Sequence, residues 1–377
     1  MNIGMSLVFQ NHDGSVQDHE IYKKELRLAD LCEPLGFDSI WTTEHHFTNY
    51  MLVPDPLQFL TYMAGRTKTI QLGSMVVVLP WHDPVRVAEQ ISVLDLMSDG
   101  RAIIGVGRGA GDVEFSGFRV PMNESRDRFI DSVKLLKNAL ATGNFEFDGK
   151  IIKQPARELR PRPKSRLEKK LYAAALSPES AEIMAELGLG MMIIPQKPWE
   201  TVEKELERHE SHYRTVHQAE PPSPIASAWI YCDKDQAKAE EIARKHIGQY
   251  YVSTINHYKF DGKHFAKTKG YEFYDKISKS LSDTSHNEAA QKFVDLQVYG
   301  TPEQCIEKIA KIKAITGCRG FNGVFRYAGL DYKLAEDSLR LFASDVMPEV
   351  KRLPNTRVRA EENHKPQSSN EGVSHNA

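Results

Sequence analysis

Glu44, His45 and His46 stand side by side directly after Asp38-Ser-Ile-Trp-Thr-Thr43, a short, nearly continuous apolar run with the character of a strand covered on both faces. A carboxylate and two imidazoles at a strand end suit a metal site, a general base, or a hydrogen-bonded pair fixed by packing. Adjacent residues there point to opposite sides, so one imidazole is expected to face a cavity and the other to support it. No further histidine or carboxylate stands at ligand spacing in the sequence, and no metal is expected. A second candidate is Gly105-Val-Gly-Arg-Gly-Ala-Gly111. The backbone N–H groups around Gly109 and Ala110 and the Arg108 guanidinium would suit a phosphate; the alternative is a tight strand exit that needs glycine. The segment also matches a Gly-x-Gly-x-x-Ala dinucleotide fingerprint, weakly, because no clear helix opens directly after it. A third is Leu176-Ser-Pro-Glu-Ser180, where a strand runs into a helix N-terminus. Its Ser177 and Ser180 hydroxyls beside free amides offer either an anion site or an ordinary helix cap.

The elements that must position these groups alternate. Strands are predicted over 2–9, 38–43, 70–79, 101–106, 171–176, 191–194, 225–232 and 320–327. Helices are predicted over 17–32, 56–64, 84–97, 125–141, 178–187, 199–215, 234–255, 301–316 and 334–350. Pro56 and Pro84 open helices where a missing N–H costs nothing, Thr301 caps one, and Gly100 closes another. Residues 144–153 read as a hairpin around Asp148-Gly149, a pair that supplies positive φ cheaply. The basic stretch 157–170, without interleaved aromatics, reads as a solvated connection rather than a polyanion patch. Residues 256–298 show no long periodic element beyond a short helix near 287–296, the mark of a lid or disordered insertion. Eight strands, each followed by a helix, predict an α/β protein with a closed (β/α)8 TIM barrel, the alternative being a doubly wound open sheet with an appended domain. The barrel is expected over 1–353, and the polar tail 354–377 is expected to be disordered.

The chain has 377 residues, 41% of them hydrophobic, and a formal net charge of −2 with acids and bases interspersed. That balance argues for neither nucleic acid nor an anionic membrane as partner. The N-terminus has no signal-peptide pattern and no apolar run reaches the roughly 18 residues that span a bilayer, so a cytoplasmic location is the default expectation. Cys32, Cys232, Cys305 and Cys318 lie far apart and read as buried free thiols.

Ordered matches then converge across separate elements. They are Gly36-Phe-Asp-Ser-Ile-Trp41, Glu44-His-His-Phe-Thr48, Val78-Leu-Pro80 with Pro84-Val-Arg86, Leu94-Asp-Leu-Met-Ser-Asp-Gly-Arg101, Arg108-Gly109, Asn123-Glu-Ser-Arg126, Gly300-Thr-Pro-Glu-Gln-Cys-Ile306 and Ser344-Asp-Val-Met-Pro348. On these residues the chain resembles the bacterial luciferase family of flavin-dependent monooxygenases, and its α subunits in particular, over about residues 1–350. The resemblance implies a (β/α)8 barrel that takes reduced FMN from a separate NAD(P)H:flavin reductase and forms a C4a-peroxyflavin with O2. One oxygen atom then passes to an apolar small molecule such as an aldehyde or ketone, in a site that excludes water. A dimer paired through barrel helices is also implied.

By the same resemblance His45 is the catalytic base or proton relay, a role that an imidazole titrating near neutral pH suits. Arg108 grips the flavin phosphate with Ser177, Ser180, the Leu176 amide and the Gly109-Ala110 turn. Met75-Val76 falls where the family keeps a non-prolyl cis peptide under the flavin ring, and Glu44 and His46 support the site or face the dimer. Residues 256–298 match a mobile lid. Three departures stand out: Gly107 replaces a reactive cysteine and is expected to enlarge the cavity, Leu176 replaces an acid, and Asp83 stands where the family often has His. Two other readings share the barrel, an F420-dependent reductase and a non-catalytic partner subunit like luciferase β.

Overall fold

The computed structural model describes residues 1–174, 178–260, 264–283 and 285–354. Strand and helix alternate from the start: β1 (Asn2–Leu7), α1 (Asp18–Cys32), β2 (Ser39–Thr42), α2 (Pro56–Arg66), β3 (Gln71–Val78), α3 (Pro84–Met97) and β4 (Ala102–Gly107). The short α4 (Asp112–Gly117) and the long α5 (Ser125–Thr142) follow, then a hairpin of β5 (Asn144–Asp148) and β6 (Lys153–Glu158). Alternation resumes with β7 (Leu171–Ala174), α6 (Pro178–Glu186), β8 (Gly190–Ile193), α7 (Trp199–His217), β9 (Ile225–Cys232) and α8 (Gln236–Tyr258). The remaining elements are α9 (Glu272–Asp283), α10 (His286–Asp295), β10 (Val298–Gly300), α11 (Pro302–Thr316), β11 (Gly320–Val324), α12 (Tyr332–Leu341) and α13 (Met347–Arg352).

Strands β1, β2, β3, β4, β7, β8, β9 and β11 pair in that order, and β11 pairs back with β1. Eight parallel strands therefore close into a TIM barrel, and β10 adds a short parallel strand to β9. Closure follows from the repeat itself, because right-handed crossovers place every helix outside the same sheet. Local chemistry starts the helices on time. Asp55 and Asp83 accept from Gln58 N and Val85 N while Pro56 and Pro84 take the first helical position, and Thr301 forms a reciprocal cap with Gln304. The alternation of the strands sends Ile3, Ile40, Leu72, Ile104 and Ala173 into one apolar core with the surrounding helices.

Several sequence expectations change in detail. The span 256–298 is largely helical: α8 runs on to Tyr258, and α9 and α10 follow. Tyr271, Tyr274 and Ile277, spaced three apart, pack with Phe260 and Phe265 in a separate apolar cluster, which is enough to hold a helix in an otherwise polar stretch. The hairpin reaches residue 158, and its turn is held by Asp131 Oδ2, which accepts from the amides of Ile151 (2.6 Å) and Ile152 (3.0 Å), with Gly149 not at positive φ. The basic connection is paired off locally, Arg160 and Arg162 with Glu158 and Lys164 with Asp99. The last predicted helix divides into α12 and α13 across a π-helical turn at Phe342–Val346, with Pro348 in the first turn of α13. The predicted tail lies beyond Pro354, outside the described residues. All four cysteines are buried and unbridged, and no described helix is long and apolar enough to cross a membrane.

Candidate functional site

A cavity opens at the carboxyl ends of the barrel strands, the face where parallel barrels carry their chemistry. Thr42 ends β2 with its hydroxyl on Leu7 O, and the chain then leaves the pleat, so the alternation assumed for a strand stops there. As a result Glu44 and His45 both line the cavity, and His46 does not. Glu44 is buried: its Oε1 accepts from His46 Nε2 (3.0 Å) and His82 Nε2 (2.6 Å), and its Oε2 from Val78 N (2.7 Å). Burial alone would push this carboxyl up; the hydrogen bonds from His46 and His82, the His82 charge and the Val78 amide outweigh it and hold the group below the usual carboxylate range. His82 moves up in return, burial opposing and Glu44 prevailing.

His45 is tied to a residue from another element. Its Nδ1 lies 2.8 Å from Glu114 Oε1, and the same oxygen meets His257 Nε2 at 3.2 Å and accepts from His46 N at 3.3 Å. Glu114 comes from α4 and His257 from the last turn of α8. His257 Nδ1 meets Thr48 Oγ1 at 3.0 Å, and Tyr50 stacks on the His257 ring at 4.5 Å. A carboxylate can only accept, so His45 donates from Nδ1 and His257 from Nε2, which leaves His257 Nδ1 to accept from Thr48. Burial pushes the Glu114 carboxyl up, but the His45 charge and the bonds from His257 and His45 bring it down to about 2. Burial depresses His257 against the pull of Glu114, which keeps that ring neutral. One side-chain nitrogen or oxygen from each of His45, Glu114 and His257 lies within 4.8 Å of the others. The expectation that no other carboxylate or histidine joins His45 is therefore corrected, since 143 residues separate Glu114 from His257 in the chain and only folding brings them together.

The turn after β4 carries Arg108, Gly109 and Ala110, all lining the cavity. A helix does open directly after it, contrary to expectation, but Glu114 Oε2 sits so close to Gly111 that a Cβ there would lie 1.8 Å away. A carboxylate thus occupies the space an anion would need at that helix end. Arg108 turns instead toward the 264–283 segment: Nη1 donates to Gly270 O (2.7 Å), and the guanidinium lies 4.1 Å from the centre of the Tyr271 ring. Arg126 Nη2 donates to the same carbonyl (3.2 Å), and Arg126 also pairs with Glu179. The Tyr271 hydroxyl donates to Gly109 O at 2.8 Å. Ser180 lines this end of the cavity, whereas Leu176 and Ser177 lie outside the described residues.

Met75-Val76 is a cis peptide, as the resemblance implied, and it falls where the pairing of β3 with β4 shifts register. Both residues line the cavity. Gly107 does not enlarge it: a Cβ at 107 would lie 2.5 Å from Val76 Cγ2, so the valine methyl fills that space. Gly109 is required by its φ of +77° and by Val78 Cγ1, 2.7 Å from where a Cβ would stand.

Sequence reading missed Glu114, His257, Arg126 and the Gly270 carbonyl. Tyr250, Thr254 and His257 recur at helical spacing, which would have extended α8 and placed His257 on the face that carries the cavity-lining Tyr250. Glu114 left no comparable signal, because a six-residue helix without a side-chain cap has no periodicity to detect.

A family model described as luciferase-like monooxygenase matches residues 1–318. The alkanal monooxygenase alpha chain of Photorhabdus luminescens is 33% identical over 349 residues, covering 88% of this chain and 93% of that one. Among solved structures, monooxygenase RslO1 from Streptomyces bottropensis superimposes with a TM-score of 0.78 at 24% identity, over 92% of this chain and 99% of its own. The oxygenating constituent of 3,6-diketocamphane monooxygenase from Pseudomonas putida, in complex with FMN, gives 0.71 at 18% identity over 93% and 98%. The coenzyme F420-dependent tetrahydromethanopterin reductase of Methanopyrus kandleri gives 0.65 at 18% identity over 93% and 99%.

Proposed function

Because the chain belongs to the luciferase-like monooxygenase family, we propose that it is the oxygenase of a two-component system. In this reading it receives reduced FMN from a separate reductase and uses O2 to oxygenate an apolar small molecule such as an aldehyde or ketone. The observation that carries the reading is one cavity holding His45, pinned through Nδ1 by Glu114, and two guanidiniums, Arg108 and Arg126, that converge on one carbonyl.

The residues present fit a flavin mononucleotide. Arg108 and Arg126 offer planar donors to a phosphate, assisted by Ser180 and the Gly109-Ala110 turn. Met75 and Val76 give an apolar floor for the ring, and Trp81 forms part of the cavity wall. When bound, reduced flavin supplies the electrons that activate O2. The protein's share is to bind, orient and keep dry. With Nδ1–H held by Glu114, His45 presents Nε2 to take up or hand on a proton, and Glu114 stays ionised to support the imidazolium that forms. Glu44 holds His46 and His82 and ties the loop to Val78, which fixes the backbone that carries His45. Tyr50, Tyr258, Trp229 and Phe260 wall the cavity against water.

The reading includes a dimer. Tyr62 on α2 and Val93, Leu96 and Met97 on α3 are exposed apolar side chains on neighbouring helices, a face that a second chain would cover. The experiment is anaerobic titration with reduced FMN and reduced F420, followed by O2, a panel of aldehydes and ketones, and product analysis, with the oligomeric state measured by sedimentation. Binding of reduced FMN and oxygenated product support the reading; preference for F420 overturns it in favour of a reductase.

A further inference from the structure

Glu114 Oε1 serves three donors at once. His45 Nδ1 lies at 2.8 Å, His257 Nε2 at 3.2 Å and His46 N at 3.3 Å. Every hydrogen bond given to an ionised carboxylate stabilises its charge and so weakens its pull on a proton held elsewhere. The His257 bond therefore bears on His45 without touching it.

His257 is built to give that bond and little else. Its side chain is 1% exposed, Tyr50 stacks on the ring at 4.5 Å with the planes 16° apart, and Tyr258 meets it edge-on at 4.9 Å. The Thr48 hydroxyl donates to Nδ1 (3.0 Å), which leaves the hydrogen on Nε2, aimed at Glu114. The His45 ring stands 4.9 Å away and nearly perpendicular. Of these two imidazoles only His45 lines the cavity.

Few other groups act on His45. Tyr50, from the loop after β2, and Tyr258, from α8, face its ring edge-on at 4.8 and 5.9 Å. Lys259 of α8 spends its charge on Asp112 of α4 at 3.5 Å, and Glu44 is taken up by His46 and His82. Glu114 is thus the carboxylate that His45 answers to, and His257 is the side chain placed to moderate it.

Resting on the oxygenase reading above, we propose that His257 is a positioning residue: by holding Glu114 Oε1 it sets how tightly His45 keeps a proton, and hence the pH at which His45 Nε2 is free to accept one. With the His257 bond in place the carboxylate pulls less and His45 releases its proton more readily. Without it, Glu114 pairs more strongly with the imidazolium and the base stays occupied to higher pH. Thr48 acts in the same direction at one remove, by fixing the His257 tautomer.

The test follows the His45 ring signal by NMR against pH in the whole protein, labelled with 13C at histidine Cε1 and free of flavin. The signal is identified by its loss in His45→Ala. His257→Phe keeps an aromatic ring against Tyr50 and removes the donor, whereas His257→Gln offers an amide N–H in place of Nε2–H. In His257→Phe the midpoint should move to higher pH by roughly threefold or more in proton affinity, and His257→Gln should lie within about twofold of wild type. Thr48→Val should shift it upward by less, and His257→Phe should have no effect in a Glu114→Gln background. A midpoint that is unmoved or lower in His257→Phe, equal shifts in Phe and Gln, or a shift that survives Glu114→Gln overturns the proposal. Should His257→Phe fail to fold, an unmoved midpoint in Thr48→Val does the same. Product analysis with reduced FMN and O2 on the same samples tests the oxygenase reading separately: an upward shift in a protein that makes no oxygenated product sinks that reading and leaves the action of His257 on His45 standing.

Discussion

His45 Nδ1 and Glu114 Oε1 stand 2.8 Å apart in a site where the carboxylate has no exposed surface. The bond settles which imidazole nitrogen is spent on structure and which is left for a reactant. On the proposed oxygenase reading it makes Glu114 a positioning residue, acting through His45 rather than on the substrate.

Replacing His45 with Ala should leave the affinity for reduced FMN within about threefold and cut product formation by roughly a hundredfold or more, the range for losing a positioned acid–base group. Stopped-flow flavin binding and product yield measure the two separately. An equal loss in both would remove His45 from the proton-handling role.

Glu114→Gln gives a stability signature with a definite sign. The carboxyl is held at about 2 in the folded protein against an ordinary value of 4.5, so the folded state favours the ionised form. Its stabilising contribution is complete well above pH 4.5, on the order of 3 kcal/mol, and is lost as the pH falls toward 2. Urea midpoints should show the variant well below wild type at pH 7, with the gap shrinking at pH 3.5. A gap independent of pH would mean that the charge is not what matters. Because Glu114 is ionised throughout the range above pH 4.5, the acid limb of the activity profile should belong to an imidazole.

Arg108→Met tests the phosphate end. Affinity for reduced FMN should fall about 10- to 100-fold, whereas reduced riboflavin, which has no phosphate, should lose less than about threefold. Parallel losses for the two flavins would place Arg108 away from the phosphate.

Val76 and Gly107 should behave as a coupled pair. Gly107→Ala should destabilise by about 1–3 kcal/mol because its Cβ meets the valine methyl, and Val76→Ala in the same chain should recover part of that cost. Simple additivity in a double-mutant cycle would contradict the packing account.

The barrel was legible because apolar strands alternate with helices whose ends are punctuated often enough to be placed: Pro or Asp opens α2, α3, α8 and α11, and Gly closes α5 and α11. His45, Arg108 and the cis peptide at Met75-Val76 could be placed from local motifs and resemblance. The partners of His45 could not. Glu114 sits in a helix too short to show a period, and His257 sits two residues past the predicted end of α8, within a polar stretch that looked unstructured. Glu44 binds His46, His82 and Val78 N, and it also borders the cavity because the pleat ends at Thr42. Side-chain convergence of this kind depends on how loops from separate units meet at the barrel mouth, and no single segment encodes it.

The Gly270 carbonyl has a thermodynamic consequence. It occupies one N–H of Arg108 and one of Arg126, so a phosphate oxygen that takes either of those two hydrogens competes with the segment that bears α9. Cofactor affinity and the docking of that segment are then reciprocal quantities: whatever loosens the segment strengthens the anion's hold, and the anion loosens the segment by the same free energy. On the proposed flavin reading, the grip on the phosphate is a difference between two bound states, one of them made by the protein's own chain.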